Sequence, residues 1–135
     1  MEKALIEFRL HHITLGARDL EQAYAFYTQV LGAKAEPLNG APSFAAYLGD
    51  IRIAIFQSTG EAASVPIERN PLAFRRDPPG LDRIVLEVDD LEEAAASLRA
   101  QGVEISFEGF HQEGRFARFQ DPEGNVIGLV ESSPR

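Results

Sequence analysis

Two stretches of this chain decide how the rest is read. The first is His12-Ile-Thr-Leu-Gly-Ala-Arg-Asp-Leu-Glu-Gln-Ala23; the second, 71 residues further on, is Arg83-Ile-Val-Leu-Glu-Val-Asp-Asp-Leu-Glu-Glu-Ala94. Ile13/Ile84, Leu15/Leu86, Asp19/Asp90, Leu20/Leu91, Glu21/Glu92 and Ala23/Ala94 are identical pairs. Each stretch opens with the apolar alternation of a half-buried strand. It then reaches an Asp followed three residues later by Gln22 or Glu93, an Asp variant of the capping box that starts helices. Gly32 and Gly102 stand where each helix should stop, suited to the left-handed position just past a C-terminus. Strand, cap, helix and glycine stop recur in the same order, so the chain reads as an internal duplication.

Three short strand-like runs follow each predicted helix: 33–38, 43–49 and 51–57 in the first half, and 103–108, 115–120 and 125–131 in the second. Gly49-Asp50 and Asp121-Pro122-Glu123-Gly124 supply turns, the latter with Pro fixing one dihedral and Gly accepting positive φ. Each half is therefore β-α-β-β-β, with boundaries of about 8–57 and 81–131. A half of that size buries little core alone, so the two are expected to pack as one domain spanning 1–135. The connector 58–80 carries Pro66, Pro71, Pro78 and Pro79 with Arg69, Arg75 and Arg76, and reads as a linker or a lid.

Composition bounds the chemistry. The 135 residues include 13 Lys+Arg against 21 Asp+Glu, a net charge of −8, with 44% hydrophobic and 25% charged residues. These are the proportions of an ordinary globular domain. Cysteine is absent, which removes disulfides, thiolate nucleophiles and thiolate metal sites. The acidity argues against nucleic acid, whose phosphates need a basic face. No signal-like or membrane-spanning apolar run is seen, so the expected compartment is the cytoplasm and the expected partner a small molecule. There is no Gly-x-Ser-x-Gly elbow and no phosphate-binding glycine loop.

Alternation also assigns faces. Ile13, Leu15, Ile51, Ile53, Ile55, Ile84, Leu86, Val88, Ile127 and Leu129 are expected beneath the helices. His12, Thr14, Gly16, Arg52, Ala54 and Phe56 face away in the first half, as do Arg83, Val85, Glu87, Val126, Gly128 and Val130 in the second. Two curved sheets with helices on their backs would form a concave, cup-shaped mixed sheet. His11 is expected on the side opposite His12, and His111 in a solvated turn. Tyr24, Phe26 and Tyr27 follow helical spacing and read as core. Phe119 reads as core or as groove wall. Arg83 needs an anionic partner, drawn from Glu87, Glu131 or a ligand. Arg118 shares a strand face with Phe116 and Gln120.

His12-Ile-Thr-Leu, Asp19-Leu20, Phe26-Tyr27 and Leu31-Gly32 resemble the opening of the vicinal oxygen chelate superfamily, the glyoxalase, bleomycin-resistance and extradiol-dioxygenase proteins. Leu86-Glu-Val-Asp-Asp-Leu91, Gln101-Gly-Val103 and Phe119-Gln-Asp-Pro-Glu-Gly-Asn125 resemble its second module, so that the likeness covers roughly 10–131. The resemblance implies the α+β fold of paired βαβββ modules and, from many relatives, a homodimer. Metal-using relatives place four ligands on the concave face, and these fall on His12, Ala54, Arg83 and Gly128. Only His12 keeps a ligating side chain.

The resulting expectation is a protein that binds a small organic, anionic ligand in the groove without a metal. Its expected contact residues are His12, Thr14, Ala54, Phe56, Arg83, Arg118 and Gly128, with His12 as acid–base group. The alternative is a metal-dependent glyoxalase-like lyase or isomerase, or a dioxygenase, with His12 as one ligand of Zn, Ni, Mn or Fe.

Overall fold

A computed structural model describes residues 6–40, 42–60, 80–111 and 114–131, with the side chains of 107, 110 and 111 excepted. Most of the connector, 61–79, lies outside the described residues, and with it the lid reading. The chain divides into two compact units, Met1–Ser58 and Thr59–Arg135.

In the first unit, β1 (Ile13–Ala17) leads into α1 (Leu20–Ala25), a π-helical turn (Phe26–Val30), β2 (Lys34–Pro37), β3 (Ser43–Leu48) and β4 (Ile51–Gln57). The sheet order is β1-β4-β3-β2, with β1 parallel to β4 and the other pairs antiparallel. A parallel pair cannot be closed by a hairpin and needs a crossover, here the helix together with β2 and β3. The second unit repeats this plan with β5 (Arg83–Val88), α2 (Leu91–Ala100), β6 (Phe107–His111), β7 (Gly114–Gln120) and β8 (Val126–Glu131), in the order β5-β8-β7-β6. The βαβββ duplication expected from the sequence is thus the observed topology. No helix among the described residues is long and apolar enough to cross a membrane.

The caps work as their spacing implies. Asp19 Oδ1 accepts from the Gln22 N–H at 3.2 Å, and Asp90 Oδ1 from the Glu93 N–H at 3.1 Å. Past α2, Gly102 (φ 83°) donates to the Arg99 carbonyl and Val103 to the Leu98 carbonyl, both at 3.0 Å. These two bonds make a Schellman cap. This cap takes the Val103 N–H, and the strand expected at 103–108 forms instead at 107–111.

The first helix departs from one uniform α-helix. Thr28 Oγ1 donates to the Tyr24 carbonyl at 2.7 Å, a side-chain bond back along the helix. The chain widens to a π turn that closes with Leu31 N–H on the Phe26 carbonyl at 3.1 Å. Phe26 and Tyr27 are buried as expected, whereas Tyr24 is 48% exposed and lies edge-on to Phe44 at 5.2 Å. Tyr24 is a margin residue rather than core.

Each sheet buries the face expected to meet its helix. Ile53, Ile55, Phe44 and Ala46 are buried with Ala23 in the first unit, and Ile127, Leu129, Ala117 and Phe119 with Leu91, Ala95 and Leu98 in the second. Phe119 is fully buried, so it packs the core and walls no groove. Two side chains lock the turns. Gln57 Nε2 donates to the carbonyls of Ala17 (3.2 Å) and Arg18 (2.6 Å), and its Oε1 accepts from Leu20 N–H at 3.0 Å, tying β4 to the β1–α1 junction. Buried Asp121 accepts through Oδ1 from the N–H groups of Glu123 and Asn125 and through Oδ2 from the Asn125 amide, each at 2.9 Å. Gly124 at φ 89° completes that turn.

Candidate functional site

Strand register defines what each unit presents on the face away from its helix. In the second unit, Gly128 of β8 pairs with Val85 of β5 on one side and Arg118 of β7 on the other. Arg83 and Phe116 flank this row on the same face. The lack of a side chain at Gly128 opens a pocket of about 140 Å³ lined by Arg83, Val85, Phe116, Arg118, Gly128 and Val130, with backbone from Ala117 and Leu129. A Cβ at 128 would stand 3.4 Å from Val85 Cγ2 and 3.7 Å from Arg83 Cδ, so the Arg83 stem already lies against the glycine.

Two arginines line this pocket. Arg83 Nη1 donates to Asp82 Oδ2 at 2.6 Å, with the Arg83 side chain 22% exposed. The partner expected at Glu87 or Glu131 is therefore Asp82. This residue precedes β5, where strand alternation does not govern direction. The Arg118 guanidinium carbon sits 5.2 Å from the Phe116 ring centroid, within cation–π range. Burial first, and the like charge of Arg83 second, hold Arg118 below the ordinary guanidinium value, with Asp82 acting in the opposite sense. Asp82 is hydrogen-bonded to Arg83 and acts on Arg118 through its charge. A planar fork of N–H donors matches carboxylate and phosphonate oxygens in geometry as well as charge. The sequence placed Arg118 on this face; the register puts it across Gly128 from Val85.

The first unit carries the other expected residues. Thr14 is paired in register with Ala54, and Gly16 with Phe56. Phe56 is 41% exposed, and its ring lies 3.5 Å from where a Cβ on Gly16 would stand. His12 precedes β1. Its Nδ1 lies 2.7 Å from Nδ1 of His11, and the two rings meet edge-on at 4.9 Å. The two histidines thus touch rather than point apart, because neither lies in the strand whose alternation was to separate them. One ring nitrogen of the pair must donate and the other accept. The His111 side chain lies outside the described residues. Its backbone ends β6 rather than lying in a free turn.

Sequence reasoning missed one cluster on this first sheet. The Tyr47 hydroxyl donates to Glu36 Oε1 at 2.6 Å, and Arg52 pairs with Tyr47 across β3–β4. No sequence signal could show it, since it depends on β2, β3 and β4 being in register. The hydrogen bond to Glu36 raises the Tyr47 phenol above its ordinary value of 10.0, with burial and the charge of Glu36 adding to it and Arg52 opposing it. A raised folded-state value favours the protonated fold, and that contribution fades as pH climbs through the folded titration above 10.0. Absorbance titration at alkaline pH checks this: Glu36→Gln is expected to move the Tyr47 ionisation to lower pH than in the wild-type chain.

At the metal positions that the resemblance implies, Ala54 and Gly128 carry no side-chain donor, and the Arg83 guanidinium repels a cation. With the Arg83 stem packed against Gly128, the second unit's two family positions do not fit a divalent metal.

The family model described as the Glyoxalase/Bleomycin resistance protein/Dioxygenase superfamily matches residues 9–129. The chain belongs to this superfamily. Among curated relatives, the ethylmalonyl-CoA/methylmalonyl-CoA epimerase of Cereibacter sphaeroides is 29% identical over 104 residues, covering 72% of this chain and 73% of that protein. The solved structure of SMU.1112c is 27% identical with a TM-score of 0.75, covering 92% of this chain and 98% of that one. The fosfomycin resistance protein FosX of Listeria monocytogenes has a TM-score of 0.74 at 20% identity, covering 95% and 94%; at that identity it speaks for the fold alone. The βαβββ duplication of this superfamily member is thus matched over nearly its full length.

Proposed function

We propose that this superfamily member binds a small organic anion, with the anionic group held by Arg83 and Arg118 above Gly128. The observation that carries this reading is the placement of Arg83 and Arg118 around the glycine floor of one pocket. Val85 and Phe116 add apolar walls suited to the body of such a ligand. The relationship to an epimerase whose name gives ethylmalonyl-CoA and methylmalonyl-CoA supports the choice, because a malonyl group ends in a carboxylate. His12, Thr14, Ala54 and Phe56 form a separate candidate set in the first unit, with the His11–His12 pair as its proton-transferring element.

The test is a calorimetric panel of malonate, methylmalonate and propylphosphonate against the uncharged diamide of malonic acid. The anions are expected to bind in the micromolar to millimolar range, about −8 to −4 kcal/mol. The diamide, equal in shape but without charge, is expected to show no heat. Equal binding of the diamide and the acids would sink the assignment.

A further inference from the structure

We infer that the cavity between α1 and the β2–β3 hairpin is a second small-molecule site, and that it takes an organic ammonium ion carried on an aromatic body. The cavity measures about 360 Å³ and is walled by Leu20, Tyr24, Ala35, Pro37 and Phe44, with Glu21 at its margin. All six belong to the first unit, and none of them lines the pocket of Arg83 and Arg118. Pockets that enclose small ligands measure about 300–1,000 Å³, so the volume admits one small organic molecule.

The sequence creates this space. Register and alternation turn Ala35, Pro37, Phe44 and Ala46 toward the helix, and Phe44 and Ala46 are buried there. Ala35 pairs with Ala46, so two methyl groups stand side by side where larger side chains would close the gap under α1. Leu20 and Tyr24, four residues apart, share one face of α1 and form the facing wall. The Tyr24 ring meets the Phe44 ring edge-on, with centroids 5.2 Å apart and planes at 77°.

Charge selects the occupant. Among the described residues that line the cavity none is basic, and the acids are Glu21 and Glu36. Glu36 lies between Ala35 and Pro37, so alternation turns its side chain to the other face, where the carboxylate accepts from the Tyr47 hydroxyl at 2.6 Å. Glu21 stands three residues before Tyr24, which makes the two neighbours on the helix surface. A carboxylate beside aromatic rings suits an ammonium ion. The carboxylate accepts a charge-assisted hydrogen bond, and a ring face attracts the cation through its quadrupole. An anion would meet Glu21 with no basic lining residue to offset it, and the net charge of −8 favours cations further.

NMR titration of the isotope-labelled full chain with 2-phenylethylamine, protonated at neutral pH, tests this. Amide shifts are expected along α1, β2 and β3, with none at Arg83, Arg118 or Gly128. 2-Phenylethanol keeps the aromatic body without the charge and should bind about 3- to 5-fold more weakly, the size of one exposed ion pair. Glu21→Gln should weaken the amine by that same factor and leave 2-phenylethanol unchanged. Ala35→Leu fills the cavity and should weaken both probes by about 10-fold or more, with unchanged circular dichroism. Glu21→Gln is a surface change and decides the matter by itself if Ala35→Leu disturbs the hairpin. Malonate affinity is expected to stay the same in both variants, which separates this site from that of Arg83 and Arg118. Absence of shifts at α1, β2 and β3 would overturn the inference, as would equal affinities for amine and alcohol. Shifts that follow protein concentration rather than added amine would give the cavity to a second copy of the chain, and overturn it too.

Discussion

Arg118→Ala is expected to weaken binding of malonate or propylphosphonate by about 30- to 1,000-fold, the roughly 2–4 kcal/mol lost when one partner of a desolvated charge pair is truncated. The guanidinium is partly buried, stacked at 5.2 Å on Phe116 and close enough to Arg83 to feel its charge. An anion between the two relieves that repulsion, so the pair gains from the ligand more than two isolated arginines would. Arg118→Lys keeps the charge and loses the planar fork and the stacking, and should recover only part of the affinity. Arg115→Ala serves as the control. Its guanidinium contacts Glu92 of α2 and Glu131 at 3.4 and 3.9 Å, on the helix side of the same sheet. Isothermal titration of the three variants checks the order wild type, Lys, Ala, with Arg115→Ala matching wild type. Equal affinities for Arg118→Ala and wild type would remove Arg118 from the site.

Asp121→Ala is expected to cost about 3 kcal/mol of folding stability. The carboxylate is 6% exposed and accepts three hydrogen bonds at 2.9 Å, two from backbone N–H groups of the turn that feeds β8. Hydrogen bonds to a charged acceptor contribute about 1.5–3 kcal/mol each, and removing the acceptor strands buried donors. Asp121→Asn keeps one oxygen acceptor and should lose about half as much. Urea unfolding followed by circular dichroism gives both values, and an unchanged midpoint in Asp121→Ala would show that the turn holds itself. Since β8 carries Gly128, the anion affinity of the remaining folded protein should fall as well.

The parts of this fold that the sequence made legible are those governed by local physics. Period-two alternation located β1, β4, β5 and β8 and their buried faces. The Asp19 and Asp90 caps, with Gly102 past α2, set helix ends where expected. What escaped depends on neighbours distant in sequence or on residues just outside regular structure. His11 and His12 touch because they precede β1, and Arg83 finds Asp82 because Asp82 precedes β5. The π turn at Phe26–Val30 and the start of β6 at Phe107 break no local rule that the sequence displays. The pairing of Tyr47 with Glu36 and Arg52 required three strands in register. In the candidate site, Arg83 and Gly128 could be singled out from the family pattern they break. That the Arg83 stem lies against Gly128, and that Gly128 pairs with Arg118, are properties of the assembled sheet.

In the proposed function, built-in guanidinium charge, rather than a bound cation, receives the ligand's anion in the second module. Titration of metal-stripped protein with malonate in the presence of a chelator, repeated with Zn, Ni, Mn or Fe added, tests it most directly. The arrangement of Arg83, Arg118 and Gly128 predicts the same affinity in all conditions and its loss in Arg118→Ala. Binding that arises only with added metal, is abolished by His12→Ala and is untouched by Arg118→Ala would contradict it.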